Sequence, residues 1–115
     1  MVTLYGIPNC DTMKKARAWL DANDVAYAFH NFKSDGIDAA TLDGWIRAVG
    51  WQTLLNTRGM LWRKVPQPIK DTIDEDKARR LMLDTPSIIK RPVLDTGEGL
   101  HVGFKAEDYA QLFDT

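Results

Sequence analysis

The chain has 115 residues, 44% of them hydrophobic and 27% charged, which suits one compact domain with a core of its own. Fifteen Lys plus Arg against sixteen Asp plus Glu give a formal charge of -1, so no overall positive field draws it to nucleic acid or an anionic membrane. Its single cysteine, Cys10, excludes an internal disulfide and a CxxC zinc site, and any thiol redox chemistry must borrow a second thiol.

Val2 to Ile7 mixes β-branched and aromatic residues and stops at Pro8-Asn9, predicting a short buried strand and a turn. Asp11 to about Ala22 is rich in helix formers, with Met13, Ala16, Trp19 and Leu20 on one broad face and Asn23-Asp24 as the stop. Val25 to Phe32 predicts a second strand. Strand, helix and strand in this span make a βαβ unit, whose right-handed crossover requires parallel strands. From Asp38 to about Thr85 the pattern turns helical. Leu42, Trp45, Ile46 and Val49 recur at i, i+3, i+4 and i+7 up to Gly50. Thr53 to Val65 is less regular, punctuated by Gly59 and Pro66. Asp74 is the expected N-cap of a further helix, with Glu75 and Asp76 in its first turn and Ala78, Leu81 and Met82 as its buried stripe. Pro92 to Asp95 returns to strand, Thr96 to Gly99 turns, and Leu100 to Phe104 runs back as a hairpin. A last helix from Ala106 buries Tyr109, Leu112 and Phe113. The order predicts an α/β fold around a four-stranded mixed sheet, one domain over residues 1–115 with a helical insertion at about 38–85. No apolar run approaches the roughly 18 residues of a membrane span, and MVTLYGIP lacks a secretory leader's basic and apolar regions. A cytoplasmic protein with no membrane partner is expected.

Cys10 is the candidate catalytic group. It falls where a parallel strand hands over to a helix, the end of an open α/β sheet at which sites usually form. A thiol reacts as thiolate, and free backbone N–H groups at a helix start stabilise an anion. The N–H groups of Thr12 and Met13 are the candidates to steady it. Lys14, one turn on, acts in the same direction, whereas the neighbouring carboxylate of Asp11 opposes it. The bland alternative, a small buried hydrophobe, suits a strand or helix interior better than a turn.

Between Asp43 and Asp71 there is no acid, yet Arg47, Arg58, Arg63, Lys64 and Lys70 lie there. The near-neutral total therefore hides a basic stretch able to attract a carboxylate or oxyanion. Arg58 stands in the turn-like Asn56-Thr57-Arg58-Gly59 rather than on a helix face. Arg91 precedes Pro92 at a strand's first residue, where an X-Pro bond can be cis and an extended peptide can pair beside it. His30 and His101 lack a second ligand at metal spacing and are read as structural, so no metal site is expected. Trp19 and Trp45 fall in apolar helical stripes and are read as packing.

The segments YGIPNCDTMKKA, NTRG, IIKRPVL and LHVGF together resemble the ArsC/Spx family of thioredoxin-fold proteins, most closely its small YffB-type bacterial members. The resemblance covers essentially the whole chain. It implies a nucleophilic thiol at Cys10, substrate-binding arginines at Arg58 and Arg91, and a cis Pro92. Arsenate reductases of the family usually carry a histidine four residues before the cysteine, where this chain has Gly6. Their third arginine falls at Phe104, with Lys105 nearby. Spx-type regulators commonly have a CxxC switch, which Met13 removes. The resemblance thus implies a glutathione-dependent thiol reductase acting through a mixed disulfide on Cys10, with glutathione as co-substrate rather than a bound cofactor. Arg58, Arg91, Pro92, Thr12 and Met13 would hold glutathione or the substrate. Glutaredoxin is a possible partner and a monomer is expected. The rivals are a glutaredoxin- or glutathione-linked arsenate reductase and a non-enzymatic Spx-like adaptor on RNA polymerase.

Overall fold

The computed structural model describes residues 2–114. In chain order the elements are β1 (Thr3–Gly6), α1 (Asp11–Ala22), β2 (Ala28–Asn31), α2 (Phe32–Asp35), α3 (Ala39–Val49), α4 (Trp51–Leu54), α5 (Met60–Arg63), α6 (Gln67–Asp71), α7 (Glu75–Asp84), a 3-10 turn (Pro86–Ile88), β3 (Val93–Asp95), β4 (Leu100–Val102) and α8 (Ala106–Leu112). They gather into two compact units, residues 1–31 with 91–115 and residues 32–90. The helical insertion is therefore a compact unit in its own right, and wider than the 38–85 that periodicity suggested.

The first unit holds the sheet, in the order β2-β1-β3-β4. β1 and β2 are parallel, as the βαβ pattern demands, while β3 runs antiparallel to both β1 and β4. This βαβ and ββα arrangement is a thioredoxin-like fold. Strand alternation sends Leu4, Phe29 and Leu94 to one face, where they meet Met13, Ala16 and Leu20 of α1 and Tyr109 of α8. Leu4, Met13, Ala16, Leu20 and Leu94 are fully buried. Trp19 meets Tyr109 edge-on, with ring centroids 5.5 Å apart, so this tryptophan is packing.

Two strand expectations shorten. The second strand begins at Ala28 rather than Val25, because Asp24 takes a positive φ of 57° and the Val25 N–H returns to the Leu20 carbonyl at 2.9 Å. It ends at Asn31, opposite Gly6, because β1 leaves the sheet there and offers no further partner. Phe32 opens a helix instead, its buried ring 6.3 Å from that of Trp45. In the hairpin, Gly103 has a φ of 89° and donates its N–H to the Pro92 carbonyl at 2.8 Å, which ends β4 at Val102 and frees Phe104 from the strand.

The second unit is helical. Asp38 caps α3, accepting from the Ala40 N–H at 3.3 Å and the Thr41 hydroxyl at 2.8 Å. Leu42, Trp45 and Ile46 are buried, and Gly50, with a φ of 85°, closes the helix. Asp74 caps α7, accepting from the Lys77 N–H at 2.9 Å. Ala78 and Met82 face inward, and the Arg79 guanidinium clasps Asp43 of α3 through two bonds of 2.6 and 3.2 Å. Leu81 is only half-buried and does not belong to the inner stripe. The segment read as irregular, Thr53 to Val65, takes in the end of α4 and all of α5, each a single turn.

Candidate active site

Cys10 is the N-cap of α1, with extended backbone at φ -125° and ψ 131°, and no side chain caps the helix. Its carbonyl accepts the Lys14 N–H at 2.9 Å, so the helix starts at once and leaves the first-turn N–H groups for the sulfur. The backbone N–H groups of Met13 and Thr12 lie where they favour the thiolate of the partly buried Cys10. The Arg91 side chain, with its full positive charge, acts on the sulfur in the same direction. Sheet register explains the meeting: Val93 lies opposite Tyr5, so the antiparallel course of β3 carries Arg91 past the end of β1, towards the turn from which Cys10 emerges.

Burial pushes the Cys10 thiol up. The Met13 N–H, the Arg91 side chain and the Thr12 N–H together outweigh it and bring the thiol below its ordinary value. The cation acting on the sulfur is Arg91, not Lys14. Lys14 and Asp11, expected to pull in opposite directions, are both exposed, where water screens them. Periodicity along one helix could not reveal a contact made across the sheet; the signal was the antiparallel pairing of β1 with β3.

The Arg91-Pro92 peptide bond is cis. Pro92 is buried and sits just before β3, so its missing N–H costs the ladder nothing. Cys10, Thr12, Met13, Arg91 and Pro92 thus come together in the first unit. Arg58 belongs to the second, on an exposed turn in which Asn56 Oδ1 accepts the Arg58 N–H at 3.0 Å.

Two further positions shape the site. Gly6 ends β1 and faces Met13: a Cβ there would collide with the Met13 sulfur and lie 2.7 Å from its methyl. Phe104 packs edge-on to Tyr109, with centroids 4.7 Å apart, and is half-buried against the core. The His30 ring lies 4.9 Å from that of Tyr5. Among the described residues no three His, Cys, Asp or Glu side chains gather as a metal site. No helix of the described residues is long and apolar enough to cross a membrane.

The model of the ArsC family matches residues 5–112. The solved structure of a YffB protein is similar at 52% identity and a TM-score of 0.93, with 96% of this chain and 97% of that chain covered. The solution structure of an arsenate reductase (ArsC) related protein from Brucella melitensis is 48% identical with a TM-score of 0.79, covering 99% of this chain and 95% of that chain. The global transcriptional regulator Spx of Listeria innocua is 27% identical over 94% of this chain and 83% of its own length.

Proposed function

The chain belongs to the ArsC family, and from that premise we propose that it is a glutathione-dependent thiol reductase whose nucleophile is Cys10. The observation that carries this reading is the convergence of two backbone N–H groups and one guanidinium on a partly buried sulfur at an uncapped helix start. Such an arrangement favours the attacking thiolate and lets it leave again.

In the first step the Cys10 thiolate attacks one sulfur of a substrate disulfide. A Cys10–substrate disulfide forms, the substrate S–S bond breaks, and the departing thiolate takes a proton from water. In the second step a glutathione thiolate attacks the substrate sulfur of that mixed disulfide, releasing Cys10 as thiolate and leaving substrate bound to glutathione. A second glutathione, delivered directly or through glutaredoxin, then completes the two-electron reduction and leaves as glutathione disulfide. The solitary cysteine supports this borrowed-thiol sequence, because no second thiol of the chain can resolve the intermediate. Arg91 holds the thiolate and receives a carboxylate of glutathione. An extended glutathione backbone pairs beside Pro92. The protein acts as a cytoplasmic monomer in this reading.

Arsenate as substrate is the weaker reading, since Phe104 is spent on core packing with Tyr109. The similarity to Spx supports the adaptor reading, but Met13 removes the second cysteine of a CxxC switch.

The test combines glutathione titration, followed by NMR, with mass spectrometry after exposure to glutathione disulfide. The expected result is shifts centred on Cys10 and Arg91 and a glutathione adduct lost in Cys10→Ser. Shifts elsewhere, or an adduct-free protein at millimolar glutathione disulfide, would overturn the reading.

A further inference from the structure

The outer face of α7 is unlike its inner one. Lys77, Arg80, Leu81, Asp84 and Thr85 follow one another at i, i+3, i+4, i+7 and i+8, a continuous helical face turned away from the buried Ala78 and Met82. Two depressions open along it within the helical unit. One, of about 260 Å³, is floored by Leu61, Val65, Leu81 and Ile88. The other, of about 330 Å³, is floored by Ile69 and Leu81. Leu81 lines both, a wall shared by two neighbouring depressions that together form an apolar groove interrupted at this one side chain, between α7 and the short helices α5 and α6. Met60, 69% exposed and next to Leu61, is the largest apolar side chain left in water by the described residues.

The rim is cationic. Lys64, Lys77 and Arg80 stand around the groove against the single carboxylate of Asp84. The Lys77 ammonium donates only to neutral oxygens of Thr72, at 3.0 and 2.6 Å. Lys64 and Arg80 are exposed and make no ion pair among the described residues. An apolar floor within an unneutralised positive rim is complementary to an amphipathic segment with apolar anchors and acidic flanks.

We infer that the groove between α5, α6 and α7 docks an acidic amphipathic helix of another protein, with one apolar side chain entering each depression and its carboxylates meeting Lys64, Lys77 and Arg80. Anchors at i and i+4 project from the same helix face, one on either side of the wall formed by Leu81. The thiol chemistry of Cys10 plays no part in this contact.

The probe is a labelled synthetic peptide of about fifteen residues, alanine-based, with leucines at i and i+4 and glutamates on the flanks. Binding to the full chain is read by fluorescence anisotropy and by NMR. The expected result is saturable binding that weakens with salt, with shifts confined to the neighbourhood of Leu61, Ile69, Arg80 and Leu81. Affinity should fall about tenfold or more in the exposed pair Lys64→Glu and Arg80→Glu, which leaves the floor intact. Leu81→Ala should weaken binding as well; Leu81 is half-buried, so the charge pair is the deciding variant. Cys10→Ser should bind as the parent does, so failure here and failure of the reductase reading remain distinguishable. Equal binding of a lysine-flanked peptide, no binding at millimolar concentration, self-association through these residues, or binding of phosphatidylserine vesicles in place of the peptide would overturn the inference.

Discussion

Met13 lies against the bare backbone of Gly6, so closely that a Cβ on Gly6 would collide with the Met13 thioether. Gly6 ends β1 and Met13 lies in the first turn of α1, so the pair closes the core directly beneath the cysteine turn. The identities of these two positions are thereby coupled in this chain. The buried methionine fills the space that a side chain at position 6 would need.

The pair should behave as one unit in a mutant cycle. Gly6→Ala is expected to destabilise the protein by about 1–3 kcal/mol through overpacking, and by less in a Met13→Ala background, where the space has been opened. Urea denaturation of the four proteins measures this. Equal costs of Gly6→Ala in both backgrounds would show that the two side chains do not compete.

Arg91 should be the main cationic influence on Cys10. Arg91→Gln is expected to move the pH midpoint of iodoacetamide alkylation upward and slow the reaction near neutral pH, whereas Lys14→Gln should leave both nearly unchanged. Because the folded thiol ionises below its unfolded value, its ionisation stabilises the fold. That contribution is full above the ordinary thiol value and disappears as pH falls through the folded one. The stability of the parent relative to Cys10→Ser should therefore rise with pH through that window, and should rise less in an Arg91→Gln background, where only the Met13 and Thr12 N–H groups oppose burial.

Tyr109 buries its hydroxyl with no hydrogen-bond partner among the described residues, and burial pushes its ionisation far above the ordinary value of 10.0. Tyr109→Phe should leave stability unchanged or raise it by up to about 1 kcal/mol, because the phenylalanine ring keeps the edge-on contacts with Trp19 and Phe104 and removes an unsatisfied polar atom. Only the neutral phenol fits the folded core. The native advantage is complete below the ordinary tyrosine value and is lost as pH rises above it, since unfolding then releases a proton. Thermal melts between pH 8 and pH 11, taken as rough working limits around that value, should show a smaller alkaline decline for Tyr109→Phe than for the parent. A clear loss of stability at neutral pH would mean that the hydroxyl has a partner.

The sequence by itself determined whatever rests on short-range chemistry. Strand and helix periodicity ordered the elements, the Asp74 side chain capped its own helix, Gly50 ended α3, and the passage from Ile7 to Asp11 put a lone cysteine at a helix start. Each of these depends on groups within a turn or two of chain. Only the tertiary structure decided which distant groups Cys10 meets, where β2 and β4 stop, and which face Leu81 takes. Arg91 and Cys10 are brought together by the register of β3 on β1, and a register is set by the summed packing of a whole sheet face. The same packing turned Phe104 into the core and pressed Met13 against Gly6. Position along the chain thus made Cys10 a candidate, while strand pairing selected Arg91 over the nearer Lys14 as its cation.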